Sequence, residues 1–167
     1  LSGEAVFPAQ LHDVTTAIKW VQSDGGAEYE LDAERLALWG ESAGGHLAAL
    51  AGLQPDSGVR AVVVWYGPSD LLTLPQPDGV ALSREAGLLG GAVTALPDLA
   101  RAASPVHAVH SAAPPFLLAH GLADQAVPSS QSVAFADALN AAGARVSLQL
   151  VDGADHLWRG LSDFNIV

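Results

Sequence analysis

The stretch Leu36-Ala37-Leu38-Trp39-Gly40-Glu41-Ser42-Ala43-Gly44-Gly45-His46 decides how the rest of the chain is read. A short apolar run ends in Gly-x-Ser-x-Gly, and an Ala/Leu-rich helical pattern follows. Strand, sharp turn and helix therefore succeed one another with a serine at the apex. The backbone at such a serine is strained and the residues flanking it must be small. A side chain at Gly40 or Gly44 is expected to collide where helix and strand pass closest. Gly-x-Ser-x-Gly alone is a weak match, because glycine and serine are common in loops. The strand before it and the helix after it make it specific.

Outward from that turn the alternation of elements continues. Upstream, residues 1–9 read as a loop with Gly3 and Pro8. Leu11, Val14, Ala17, Ile18 and Val21 then share one helical face between Gln10 and Gln22. Ser23-Asp24-Gly25-Gly26 stops that helix, and polar residues 28–34 lead into the strand at 36–39. Downstream, a helix runs from about Ala43 to Leu53, and Gln54-Pro55-Asp56-Ser57-Gly58 turns the chain. Ala61-Val62-Val63-Val64-Trp65-Tyr66 has no alternation, the pattern of a strand buried on both faces.

Prolines and glycines break up residues 67–114, as at Leu74-Pro75-Gln76-Pro77 and Leu89-Gly90-Gly91. This reads as an irregular excursion with short helices rather than a separate domain. Phe116-Leu117-Leu118-Ala119 is a third strand, ended by His120-Gly121. Ser129 to Ala142 is a helix with Val133, Ala136 and Leu139 along one face, and Gly143 stands where a left-handed cap belongs. Arg145 to Val151 alternates, with Val146, Leu148 and Leu150 against Ser147 and Gln149. The result is one α/β domain over residues 1–167: a mostly parallel sheet of about four strands with helices on both faces.

Composition bounds the function. The chain has 167 residues, half of them hydrophobic and 15% charged, enough to bury a core. Eighteen acidic residues against 7 basic ones give a net charge of -11. That argues against nucleic acid or an anionic membrane as partner, since both call for a basic patch. With no cysteine there is neither a disulfide nor a thiolate metal site. No apolar run reaches the length of a membrane span. The sequence opens on Leu1 without a signal-like segment, so it is expected to begin inside a processed or longer chain.

Open parallel sheets bind ligands beyond the carboxyl ends of their strands. Ser42 follows the strand at 36–39, Asp124 follows the strand at 116–119, and His156 follows the strand ending at Val151. A serine hydroxyl needs an adjacent base to take its proton, and imidazole has the right proton affinity. The base in turn needs a buried carboxylate to fix its tautomer. Ser42, His156 and Asp124 are therefore the candidate nucleophile, base and acid. His120, at the very end of its strand, competes as base but is expected to pack beside the site. Asp152 and Asp155 compete as acid. Asp155 directly precedes His156 and is poorly placed to aim at it, while Asp152 reads as a turn-former before Gly153. His12, His46, His107 and His110 are expected to be structural or solvated, lacking the paired spacing of a metal site. No cofactor is called for.

The segments Gly40-Glu41-Ser42-Ala43-Gly44-Gly45-His46, His120-Gly121-x-x-Asp124-x-x-Val127-Pro128 and Gly153-Ala154-Asp155-His156 resemble the α/β-hydrolase superfamily. The likeness is to carboxylesterases related to hormone-sensitive-lipase-like and bifunctional feruloyl/acetyl-xylan esterases. Phe7-Pro8-Ala9-Gln10 with Asp13, Trp65-Tyr66-Gly67-Pro68-Ser69-Asp70 and Ala103-Ser104-Pro105 are similar to segments of that group. The resemblance implies the C-terminal part of the hydrolase fold, with Ser42, Asp124 and His156 as catalytic triad and the Ala43 N–H as an oxyanion donor. It also implies a cap- or lid-like role for the 67–114 excursion, with Leu71 and Val127 as pocket residues.

Members of the group carry further strands and a His-Gly-Gly oxyanion segment ahead of the part that resembles Leu1 onward, and this sequence holds no such segment. An incomplete oxyanion hole follows as an expectation, as does a strand edge at 36–39 open to self-association. The reaction implied is hydrolysis of short acyl or aromatic esters, free or polysaccharide-linked, through an acyl-enzyme. Two other readings share the motif: a serine peptidase of prolyl-oligopeptidase type, and a truncated scaffold that does not turn over.

Overall fold

The computed structural model of the chain describes residues 3–75 and 83–159. In chain order its elements are α1 (Ala9–Val21), α2 (Asp24–Glu28), β1 (Ala37–Glu41), α3 (Ala43–Gly52), β2 (Ala61–Trp65), α4 (Arg84–Leu89), α5 (Pro97–Ala102), β3 (Phe116–Gly121), α6 (Ser130–Ala141) and β4 (Val146–Val151). Single 3-10 turns precede β1 and lie within the excursion. All strand pairs are parallel, in the order β1-β2-β3-β4, with Leu38, Val62, Phe116 and Val146 in register across the sheet. This is the expected four-stranded parallel sheet flanked by helices, which among the described residues gather on one of its faces rather than both.

The helices form for local reasons. Helix α3 is mostly alanine and leucine, strong helix formers. The Ser83 hydroxyl accepts from the Ala86 N–H to cap α4, and Gly90 ends it at φ +79. Pro97 opens α5, where its missing N–H costs nothing. Gly143 takes φ +79 directly after α6, as its place in the sequence leads one to expect. One stop signal did more than stop. Helix α1 does end at Val21, but Asp24 to Glu28 wind a further turn, α2. A Cβ on Gly26 would stand 1.8 Å from the Val21 carbonyl oxygen, so glycine is what lets α2 fold back on the end of α1.

Register divides the sheet into two faces. Leu38, Val62, Val64, Phe116, Leu118, Val146 and Leu148 share one, and they join a single apolar cluster with Leu11 and Ile18 of α1, Ala49 and Leu50 of α3, Leu89 of α4, Ala100 of α5, and Phe135 and Leu139 of α6. Trp39, Val63, Trp65 and Leu117 lie on the other, where a smaller cluster gathers Tyr66, Ala119, Ala154 and Trp158. Among the described residues the helical core therefore loads one face, and on the other Trp39 is 66% and Leu117 40% exposed. Hence β2, whose unbroken run of apolar residues suggests burial on both faces, buries Val62 and Val64 while Ala61, Val63 and Trp65 stay partly open. In β4, Leu150 shares the helical face with Leu148 but is 41% exposed near the end of the strand.

The described part of the excursion packs against α3 and α6. Of its Leu74-Pro75-Gln76-Pro77 break, Gln76 and Pro77 lie outside the described residues. Its first stretch is clamped to α6. The buried Gln131 side-chain carbonyl accepts from the N–H groups of Ser69 and Asp70, at 2.9 and 2.7 Å, and its amide donates to the Thr73 hydroxyl. The Ser69 hydroxyl donates to the Gln131 backbone carbonyl, and the Leu71 N–H donates to the Ser104 hydroxyl.

Candidate active site

Ser42 links β1 to α3 with φ +49 and ψ -120, a left-handed conformation that few L-residues adopt. Its N–H donates to the Trp65 carbonyl at the end of β2, which fixes the serine on the carboxyl rim of the sheet. The turn is possible because two backbones nearly touch. A Cβ on Gly40 would stand 2.2 Å from the Gly44 carbonyl oxygen, and one on Gly45 would stand 3.0 Å from the Gly40 carbonyl oxygen. The expectation of a collision at Gly44 is overturned, since nothing lies within 4 Å of a Cβ there. Gly44 contributes its carbonyl to the contact, while its own side-chain direction faces open space.

Asp124 and His156 meet Ser42 from the ends of β3 and β4. His156 Nε2 lies 2.9 Å from Ser42 Oγ, and His156 Nδ1 lies 2.7 Å from Asp124 Oδ2. The other carboxylate oxygen of Asp124 accepts from the N–H groups of Ala126 and Val127, at 2.8 and 2.9 Å. Its side chain is wholly buried, so the charge is compensated by hydrogen bonds instead of water. An ionised carboxylate only accepts. It therefore holds the proton of a neutral imidazole on Nδ1 and leaves the Nε2 lone pair facing the serine hydroxyl.

The competing groups stand elsewhere. Asp155 is turned into its own loop, accepting from the N–H groups of Leu157 and Arg159, and the Leu157 contact heads the causes that lower its pKa. Asp152 is exposed and precedes Gly153, which takes φ +73. The His120 ring is fully buried, with Nε2 2.9 Å from the Val127 carbonyl and 3.2 Å from Asp124 Oδ2, and Nδ1 2.7 Å from the Ser132 hydroxyl. Burial lowers its pKa, so the neutral ring donates from Nε2 and accepts at Nδ1. It braces the acid instead of reaching the serine. His46 is also buried, its Nε2 2.6 Å from the Ala103 carbonyl, and burial lowers its pKa. His110 Nε2 donates to the Leu53 carbonyl, His107 approaches Asp70 at 3.6 Å, and His12 is exposed. Among the described residues no group of three or more His, Cys, Asp or Glu side chains could hold a metal ion.

A cleft of about 390 Å³ opens beside Ser42. Both expected pocket residues, Leu71 and Val127, line it, with Leu47, Pro68 and Leu88 completing an apolar wall. Ala43, at the first position of α3, also borders the cleft, and its N–H has no acceptor within the helix. Sequence reasoning missed one neighbour of the base and the partner of that neighbour. The Tyr66 ring lies 4.7 Å from the His156 ring, centroid to centroid, and the Tyr66 hydroxyl donates to Glu41 at 2.6 Å. Burial, then the hydrogen bond to Glu41 and the charge of that carboxylate, push the phenol pKa above its ordinary range.

Comparison with known proteins identifies the chain's relatives. The model of the family described as BD-FAE matches residues 1–139. Esterase LipQ of Mycobacterium tuberculosis is 38% identical over 93% of this chain and 40% of its own length. Esterase LipC of the same organism is 32% identical over 90% of this chain and 41% of its own. The chain thus spans about two-fifths of these relatives. Among solved structures, a truncated carbohydrate esterase from gut microbiota superposes with a TM-score of 0.85 at 34% identity, over 93% of this chain and 64% of that one. Esterase 2 of Thermogutta terrifontis, solved with butyrate bound, superposes with a TM-score of 0.70 at 27% identity, over 93% of this chain and 58% of that one.

Proposed function

The chain belongs to the BD-FAE family of α/β-hydrolase carboxylesterases, and from that premise we propose that it is a serine carboxylesterase acting through an acyl-enzyme. One observation carries the reading: the continuous chain from Ser42 Oγ through His156 to the buried Asp124 carboxylate. Ser42 Oγ attacks the ester carbonyl while His156 Nε2 takes its proton. Asp124 stabilises the imidazolium that forms. The carbonyl oxygen, now negative, is met by the Ala43 N–H at the start of α3. Collapse of the tetrahedral intermediate expels the alcohol, which takes the proton from His156. Water then repeats the sequence on the acyl group, releasing the acid and restoring Ser42.

The cleft supports a short acyl group, since Leu47, Leu71, Leu88 and Val127 line it with apolar surface. Leu71 and Leu88 come from the excursion, which serves as a cap over the site. The gut carbohydrate esterase among the relatives supports an ester carried on a sugar as the natural substrate class. The edge of β1 supports association with a second copy, because among the described residues it pairs only with β2. Light scattering that finds only monomer would remove that part.

Labelling by a fluorophosphonate probe tests the chemistry. The wild-type chain is expected to label and to hydrolyse an acetyl ester in preference to a proline-containing amide, whereas Ser42→Ala does neither. A wild-type chain that stays unlabelled, or a Ser42→Ala chain that labels equally, overturns the reading in favour of an inert scaffold. Preference for the amide overturns it in favour of a peptidase.

A further inference from the structure

Tyr66 immediately follows β2 and takes φ +40, a left-handed backbone that is rare for a bulky aromatic residue. Two backbone contacts hold it there: its N–H donates to the Ala119 carbonyl, and the preceding carbonyl, of Trp65, accepts from the Ser42 N–H. The strained backbone directs the ring under His156, with the two ring planes inclined at 54°. On another side the Tyr66 ring meets Trp158 at 5.1 Å, and Trp158 stands against Trp65 at 5.5 Å. Trp158 belongs to the loop that carries His156 and is itself buried. Glu41, which binds the phenol, is exposed at the end of β1 and directly precedes Ser42.

We propose that Tyr66 is a positioning residue for His156, and that Glu41, which precedes Ser42 inside Gly-x-Ser-x-Gly, holds the Tyr66 ring in place by accepting its phenol hydrogen bond. The inference rests on the reading of His156 as base to Ser42. Asp124 and Ser42 tether the imidazole at its two nitrogens, roughly along one axis. Those hydrogen bonds leave the ring free to rock about that axis, and the inclined Tyr66 ring packed 4.7 Å away opposes the rocking by contact. A displacement of about 1 Å at a reacting group can cost on the order of 10²-fold in rate, so the brace matters to proton transfer.

The phenol does not shuttle the proton. Burial and the Glu41 carboxylate keep it protonated, so the bond to Glu41 persists while His156 changes charge. The other charged or titratable groups around the pair are Asp124 and His120 at the end of β3, and Asp155 and Arg159 in the loop of His156. None donates to the phenol.

The test combines two readouts on the full chain: the pH dependence of fluorophosphonate labelling, and the NMR signal of the His156 Nδ1 proton. Tyr66→Leu is expected to label roughly 10- to 100-fold more slowly, with a displaced pH profile and a weakened Nδ1 proton signal. Tyr66→Phe, which keeps the ring but loses the bond to Glu41, is expected to recover only part of the rate and to match Glu41→Leu. Because Tyr66→Leu alters a buried position, Glu41→Leu at an exposed one serves as the second variant. It should slow labelling and weaken the same signal, and Glu41→Gln, which still offers an acceptor, should partly reverse both. If Tyr66→Leu and Glu41→Leu leave the proton signal and the pH profile as in wild type, the proposal is overturned. A wild-type chain that does not label, but whose proton signal is lost in both variants, overturns the catalytic reading and leaves the positioning role standing.

Discussion

His120 and His156 share one oxygen: His156 Nδ1 lies 2.7 Å and His120 Nε2 3.2 Å from Asp124 Oδ2. One histidine is mostly buried beside the serine, while the other is sealed beneath the acid. The carboxylate thus acts on one ring and is held by the other. Replacing the acid should be far costlier to turnover than replacing its brace. Asp124→Asn presents an amide where His156 needs an acceptor and favours the wrong tautomer. A fall of about 10⁴-fold in turnover is expected with little change in fold. His120→Ala should act mainly on stability, at roughly 1–3 kcal/mol for each buried polar group left unpaired, here the Ser132 hydroxyl and the Val127 carbonyl. Ester hydrolysis and thermal denaturation of the two variants side by side check the division.

The two buried histidines give stability a direction in pH. Burial lowers the pKa of both His46 and His120 from the ordinary value of 6.5. Below that value the unfolded chain gains protons that the folded chain resists, so the unfolded state binds more of them and stability falls. The contribution is fully present above about pH 6.5 and is lost as pH drops below it. The melting temperature should therefore decline from about pH 6.5 downward, and His46→Gln should flatten that slope. A wild-type melting temperature that stays level down to pH 5 contradicts the account.

The strand-end rule located Ser42, Asp124 and His156 in the sequence because parallel strands deliver their following residues to one rim, and hydrophobic runs mark strands plainly. What escaped was set by contacts that no pattern encodes. Tyr66 holds its left-handed turn without a glycine to announce it. The tight approach at the serine falls on Gly40 and Gly45 rather than Gly44, because which face of the first helical turn meets the strand depends on where the helix starts. The unbroken apolar run of β2 looked buried on both sides, yet the described helices cover one. Composition records that a residue is apolar, whereas packing decides which neighbour covers it.

Gln131 is expected to matter more than its place in mid-helix suggests. Its side chain pairs two backbone N–H groups of the segment that carries Pro68 and Leu71 into the cleft. Gln131→Ala leaves those donors buried without an acceptor, at roughly 1–3 kcal/mol for each group that water cannot reach. The cleft wall should also loosen, so KM for a short ester rises more than kcat falls. Gln131→Glu retains an acceptor for both N–H groups but loses the donor to Thr73, and should show a milder defect. Steady-state kinetics with an acetyl and a butyryl ester, alongside urea denaturation, separate the two effects.

The paired glycines of the serine turn give the sharpest contrast. At Gly40 an added methyl meets the carbonyl oxygen of Gly44 at 2.2 Å, closer than any real contact, and the atoms it meets are backbone that cannot swing aside. Relief requires α3 to slide away from β1, and that motion would carry the Ser42 hydroxyl off His156 Nε2. Gly40→Ala should therefore lose labelling by the fluorophosphonate probe even where the chain still folds. At Gly44 the added methyl meets nothing within 4 Å, and the position lies in the first turn of a helix. Alanine is preferred over glycine in helices by about 1 kcal/mol, so Gly44→Ala should keep its labelling and melt slightly higher than wild type. The order of the two variants in both assays is the prediction. Equal damage from both would mean that the strand and helix do not meet at Gly40 as described, whereas a silent Gly40→Ala would mean that the serine turn tolerates the separation of α3 from β1.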